Sequence, residues 1–254
     1  MNNFEKCRTF YVESNIRFDI FNFLYVLTSC SQDVEKRGIT CKGIYRVNGV
    51  KTRVDALVHE FERREASGIE NHKPTYTPDL SQYSAHDISS VLKRFLQQLP
   101  DPLFTFALYD DFMRISRNYE KSKSDMHALQ DACELIRQMP ASHRACLAVL
   151  LKHLNQVSLY SDENKMTPSN LGVVFGPTLF RAKPKTQSGQ NQTNSKTIRG
   201  SYQPPNLTAS SILEEIKDMP DQARLIELLI INRDYIANYA FTPDRPTVAV
   251  LTRV

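Results

Sequence analysis

The chain has 254 residues, 41% of them apolar and 24% charged, with 32 basic against 28 acidic side chains and a net charge of +4. Those values exclude a disordered or low-complexity chain, and interspersed charges of both signs provide no dense basic face for nucleic acid. Only 8 glycines argue against a turn-rich β-sandwich or a Gly-looped nucleotide fold, where the usual share is ~7% or more. The first residues hold Glu5, Lys6 and Arg8 and no apolar signal segment, and 1–14 are expected to form an N-terminal extension. The longest apolar run, Ile20 to Gln32, lies between Asp19 and Asp33 and is too short to span a bilayer. Its stripe, Ile20, Phe23, Leu24, Leu27 and Val34, predicts a helix stopping at Gly38. Val54, Leu57, Val58 and Phe61 give a second helix. A third carries Ile88, Val91, Leu92, Phe95 and Leu99, opened by Ser84 with Asp87 three residues on and closed by Pro100. Further stripes are Phe104/Leu108/Phe112, Leu129/Cys133/Ile136, Leu147/Leu150/Leu151/Leu154 and Ile226/Leu229/Ile230, the last ahead of Tyr235 and Ile236.

Near residue 167 the start signals are unusually complete. Thr167 suits the cap, Pro168 the first helical position, and Met166 can staple onto Leu171. Gly176-Pro177 is expected to stop this helix after little more than two turns. Residues 183–206 hold almost no apolar mass and read as a surface loop; 241–254 read as a C-terminal tail. Period-2 alternation is nearly absent, so the expectation is an all-α fold: one bundle of about eight or nine helices over 15–240. Five cysteines, Cys7, Cys30, Cys41, Cys133 and Cys146, are odd in number and form no C-x-x-C pair. They read as reduced thiols of a soluble cytoplasmic protein, with no metal site.

Motifs for self-contained catalysis are missing: no phosphate loop, no G-x-G-x-x-G, no H-E-x-x-H, no G-x-S-x-G. The six histidines are scattered, and His143 and His153 read as surface or packed residues. One segment stands apart, Lys42-Gly43-Ile44-Tyr45-Arg46-Val47-Asn48-Gly49. Its glycines allow tight turns, and Ile44, Tyr45 and Val47 are expected to anchor it in the core while Arg46 projects. On local sequence alone, an ordinary interhelical turn with a surface arginine competes with that reading.

The run KGIYRVNGVKTRVDAL resembles the arginine-finger segment of the RhoGAP domain, the GTPase-activating domain for Rho, Rac and Cdc42. HDISSVLKRFLQQLPDPL is similar to the family's helix with its Leu-Pro-x-Pro-Leu stop, and NKMTPSNLGVVFGPTLFR to its Asn-bearing short helix followed by Phe-Gly-Pro. With PDQARLIELLI, the likeness covers roughly 15–240, and its wording is closest to the subgroup that pairs this domain with F-BAR and C1 domains.

The resemblance implies that Arg46 enters the nucleotide pocket of a GTP-bound Rho-family GTPase and stabilises charge on the transferring phosphoryl. It implies no cofactor in the chain itself and no autonomous catalysis. Lys93 matches the lysine that holds the finger loop and the GTPase switch region. The family's arginine four residues later is Gln97 here, which keeps hydrogen bonding but loses charge and bidentate reach. Asn170 matches an asparagine that bonds across the interface, with a local backbone bond as its competing role, and Val173 and Pro177 match apolar interface contacts. A non-catalytic GTPase-binding scaffold of the same fold is the alternative. Separately, the end Thr252-Arg253-Val254 looks like a ligand for a PDZ domain.

Overall fold

The computed structural model describes residues 20–66, 69–70, 73–74, 76–122, 125–181 and 209–241. The N-terminal extension, the 183–206 loop and the Thr252-Arg253-Val254 end lie outside the described residues.

Among the described residues ten α-helices follow one another: α1 (Ile20–Asp33), α2 (Lys51–Ala66), α3 (Ala85–Gln97), α4 (Tyr109–Ser122), α5 (Asp125–Gln138), α6 (Ala141–Ser158), α7 (Ser161–Asn164), α8 (Pro168–Leu179), α9 (Ala209–Ile231) and α10 (Arg233–Tyr239). The fold is all-α, as its periodicity implies; the only described strands are a two-residue antiparallel pair, β1 (Ile69–Glu70) and β2 (Lys73–Pro74). The helix count exceeds eight or nine because α7 and α10 are too short to leave a stripe in the sequence. No described helix is long and apolar enough to cross a membrane.

Apolar stripes become one continuous core. Val54, Leu57, Val58 and Phe61 of α2 are all buried, as are Leu147, Leu150, Leu151 and Leu154 of α6. The first helix widens at its end into a π-turn, Val34–Gly38, and Gly38 is admitted there because a Cβ would collide with Ala85 at the start of α3. Ser84 and Asp87 form the reciprocal capping box that their spacing announces. Thr167 caps α8, and the stapling pair Met166 and Leu171 are both fully buried.

Two expectations about helix ends need correcting. Phe104, Leu108 and Phe112 do not share a helix: residues 103–104 and 106–108 are turns, Thr105 between them takes φ 56°, and α4 begins at Tyr109. Phe104 is nevertheless buried, stacked on Phe180 at 4.3 Å and edge-on to Phe112 at 4.8 Å, so its apolar role survives without the helix. Gly176-Pro177 does not stop α8, which runs on to Leu179. In a last turn, proline sacrifices only one amide, and Phe180 N–H to the Gly176 carbonyl (3.0 Å) continues the ladder beyond it.

The most extensive helix pair is α8 with α9. Two glycines make it possible: a Cβ on Gly172 would strike the Ala223 carbonyl oxygen, and one on Gly176 would lie 3.0 Å from Gln222 Cβ. The described cysteines are free thiols. Burial pushes Cys133 to about 11, with opposing smaller effects of Arg137 and Glu134, and Cys146 to about 12.

Candidate functional site

Between the π-turn and α2 the chain makes a compact reversal. Cys41 N–H bonds the Gly38 carbonyl (3.0 Å), and Ile44 N–H bonds the Cys41 carbonyl (3.1 Å). Gly43 then adopts φ 72°, and its carbonyl accepts both Arg46 N–H (2.9 Å) and Val47 N–H (2.8 Å). Tyr45 is also left-handed, at φ 68°. A non-glycine residue there costs roughly 1–2 kcal/mol, so something must hold it. Ile44 and Tyr45 are fully buried, Arg46 is exposed, and Val47 is 46% exposed. Val47 is thus no anchor: the turn that buries residue 45 leaves residues 46 and 47 on the outside.

Three sets of bonds hold the turn. At its entry, Gly43 N–H donates to the Asn164 carbonyl (2.7 Å). Asn164 is wholly buried, and its side chain donates to the carbonyls of Ile39 (2.8 Å) and Val157 (2.9 Å) while accepting from Met166 N–H (2.7 Å). One asparagine therefore joins the turn, the end of α6 and the approach to α8. In the middle, Lys93 donates from Nζ to the Tyr45 carbonyl, next to Arg46. Burial pushes the Lys93 ammonium below its usual pKa. At the exit, Gly49 N–H donates to Ser90 Oγ (2.9 Å) and Val50 N–H to Asp87 Oδ1 (2.9 Å). Asp87 Oδ2 also takes Ser84 N–H (3.0 Å), Ser84 Oγ–H (2.7 Å) and Arg53 Nε–H (3.0 Å). Gly49 is needed for proximity rather than for a turn, since a Cβ would come within 2.5 Å of Asp87 Cα.

Asn170 sits in the first turn of α8. Its N–H bonds Thr167 Oγ1 (3.2 Å), and its side-chain Nδ2 donates to the Lys165 carbonyl (2.9 Å), the local bond that competes with an interface role. That bond leaves Oδ1 with no hydrogen bond among the described residues. Val173, one turn along α8, is 58% exposed, and Pro177 is half-buried. Gln97 is exposed on the last turn of α3, one turn beyond Lys93. Its own carbonyl accepts from Arg181 (3.1 Å), which also bonds the Leu99 carbonyl and lies 5.7 Å from the Phe106 ring centroid. Arg181 thus closes the end of α3.

The structure therefore brings Lys93 to the Arg46 turn directly and Asn170's turn to it through Asn164, whereas no described hydrogen bond ties the Gln97 or Pro177 side chains to that framework. Sequence reasoning missed Asn164 and the second task of Asp87. It also left His153 without a task. A polar residue at 153, inside the Leu147/Leu150/Leu151/Leu154 stripe, was the available signal for a buried partner; Asn164 leaves no comparable mark.

These features define a helical domain that presents a cation outward on a rigid turn, with no metal-holding group of three His, Cys, Asp or Glu side chains among the described residues. The chain belongs to the RhoGAP domain family, whose model matches residues 25–184 and so spans Arg46 through Pro177. Among curated proteins it is 36% identical to mouse (Mus musculus) Rho GTPase-activating protein 45, over 82% of this chain and 17% of that protein. It is 35% identical to Danio rerio Rho GTPase-activating protein 29, over 86% of this chain and 15% of that one. The chain thus spans about a sixth of the length of these relatives. Among solved structures, the BH domain from Graf, the GTPase regulator associated with focal adhesion kinase, aligns with a TM-score of 0.63 at 27% identity, covering 85% of this chain and 95% of that one.

Proposed function

We propose that this domain accelerates GTP hydrolysis by a GTP-bound Rho-family GTPase, with Arg46 entering the partner's nucleotide site in trans. The single observation that carries this reading is an exposed arginine held next to a buried, left-handed tyrosine. The turn is thereby preorganised while the guanidinium stays available. Preorganisation is what a trans-acting cation needs, because the ordering cost is met on folding rather than at the transition state. The partner supplies nucleotide, Mg²⁺ and the water-orienting glutamine. The guanidinium adds donors and a fixed charge where negative charge develops between the β- and γ-phosphates.

Lys93 stiffens the turn from behind. Asn170 offers its unengaged Oδ1, and Val173 and Pro177 offer apolar contact on the same side of α8. The domain spans 15–240, works in the cytoplasm, and belongs with the subgroup carrying F-BAR and C1 domains, a placement supported by the wording of its three motif blocks.

A binding scaffold without activation is the second reading, favoured by the neutral Gln97. Single-turnover GTP hydrolysis by Rho, Rac and Cdc42, with and without the domain, separates the two. Acceleration of roughly 10³–10⁵, equivalent to about 4–7 kcal/mol, is expected from the wild type. Arg46→Ala should remove it while leaving complex formation with the GTP-bound partner, and Arg46→Lys should restore little. Unchanged hydrolysis with Arg46→Ala defeats the finger; no acceleration by the wild type alongside tight binding establishes the scaffold.

A further inference from the structure

Beneath the turn a line of polar groups runs from the Tyr45 hydroxyl into the bundle. Tyr45 Oη is 2.5 Å from His153 Nε2, and His153 Nδ1 is 2.7 Å from Glu35 Oε1. Tyr45 and His153 are sealed from solvent, whereas Glu35 sits half-buried on the π-turn. A carboxylate only accepts, so Nδ1 carries the hydrogen toward Glu35; in the neutral imidazole Nε2 then offers its lone pair and the tyrosine hydroxyl donates to it. Every donor from Tyr45 to Glu35 then meets an acceptor. The tyrosine ring is gripped as well, edge-on to His153 at 5.6 Å and to Phe175 at 5.0 Å.

Residue 45 is consequently restrained at both ends: its carbonyl by Lys93 on α3, its hydroxyl by His153 on α6. It is also the non-glycine residue with positive φ immediately before Arg46. A phenol free to swing would let that backbone relax, and residue 46 would move with it. We infer that Glu35, His153 and Tyr45 form a hydrogen-bonded strut that sets the position of Arg46, acting as positioning residues through the turn and not on the nucleotide. This rests on the arginine-finger reading.

The test is single-turnover hydrolysis by a responsive Rho-family GTPase, titrated with the full chain to saturation. Tyr45→Phe keeps the ring and removes the hydroxyl. Its maximal rate should fall ten- to a hundredfold, the order of loss caused by a misplacement of about 1 Å, while the half-saturating concentration stays within about twofold. His153→Gln, whose amide oxygen can accept from Tyr45, should retain more of the rate than His153→Leu. Glu35→Gln, at a half-exposed site that tolerates change, carries the test if Tyr45→Phe does not fold, and should also lower the maximal rate. In an Arg46→Ala background none of these should lower the rate further. A folded Tyr45→Phe or Glu35→Gln variant with full maximal rate overturns the strut, as does an equal loss in the Arg46→Ala background. If Arg46→Ala itself leaves the rate intact, the finger reading is what fails.

Discussion

Asp87 does two jobs with one carboxylate: it completes the cap of α3 and receives the backbone amide of Val50 as the chain leaves the arginine turn. Burial alone would raise its pKa, but bonds from Ser84 and Val50 and the nearby Arg53 outweigh it and hold the carboxyl below its ordinary value. A carboxyl with a depressed native pKa contributes stability fully above its unfolded pKa, near 3.9, and loses it as pH falls through the native value. Urea denaturation from pH 7 down to 3 should therefore show wild type more stable than Asp87→Asn at neutral pH, with the gap narrowing below about pH 4. Asp87→Ala should cost about 2–3 kcal/mol at pH 7, because the cap of α3 and the partner of the Val50 amide go together. The capping role was legible from Ser84 and Asp87 at cap spacing; the second role was not, because Val50 comes to Asp87 only when the chain folds back. Val47 misleads in the opposite sense, since an apolar residue in a strained turn goes where the backbone sends it.

Helix α8 is a wedge. One side presents Gly172 and Gly176 to α9, and the other leaves Val173 exposed. Its intrinsic propensity is poor, with two glycines and an interior proline, Pro177, among its twelve residues, so packing must supply what the backbone lacks. Gly172→Ala should be the harsher substitution, since its methyl meets a backbone carbonyl that cannot rotate away. About 2–4 kcal/mol of lost stability is expected by chemical denaturation. Gly176→Ala, facing a side chain at 3.0 Å, should cost about 1–2 kcal/mol. Equal losses at both sites would mean that α9 yields as a unit. The start of α8 was readable from Thr167, Pro168 and Met166 because caps and staples are local. Its end was misread because a Gly-Pro pair in a last turn costs only one amide and need not stop the helix, and the Phe104/Leu108/Phe112 stripe because apolar spacing of four also fits turns folded over a shared core.

Across the whole molecule, the helices were legible because each stripe faces one continuous core, and the family likeness was legible because three blocks stand in order. How the blocks meet was not, because the ties between them run through buried backbone carbonyls that any residue type supplies. One consequence of the block pattern is electrostatic. Gln97 is exposed one turn from Lys93, and Arg181 is engaged with carbonyls at the end of α3. Gln97→Arg should tighten binding to the GTP-bound partner by about three- to tenfold at low salt, with a smaller gain at high salt and little change in the maximal hydrolysis rate. Titrations at two ionic strengths check this; a gain insensitive to salt would point to packing.

The supports of the arginine turn come from residues 35, 87, 93, 153 and 164, spread over half the chain. A peptide cut from around residue 46 would carry the guanidinium but none of its neighbours, and its two left-handed positions would melt into the coil. The held guanidinium is thus a property that appears only when distant segments have closed on one another. Transplanting it to another scaffold means moving the surrounding bundle, not the loop.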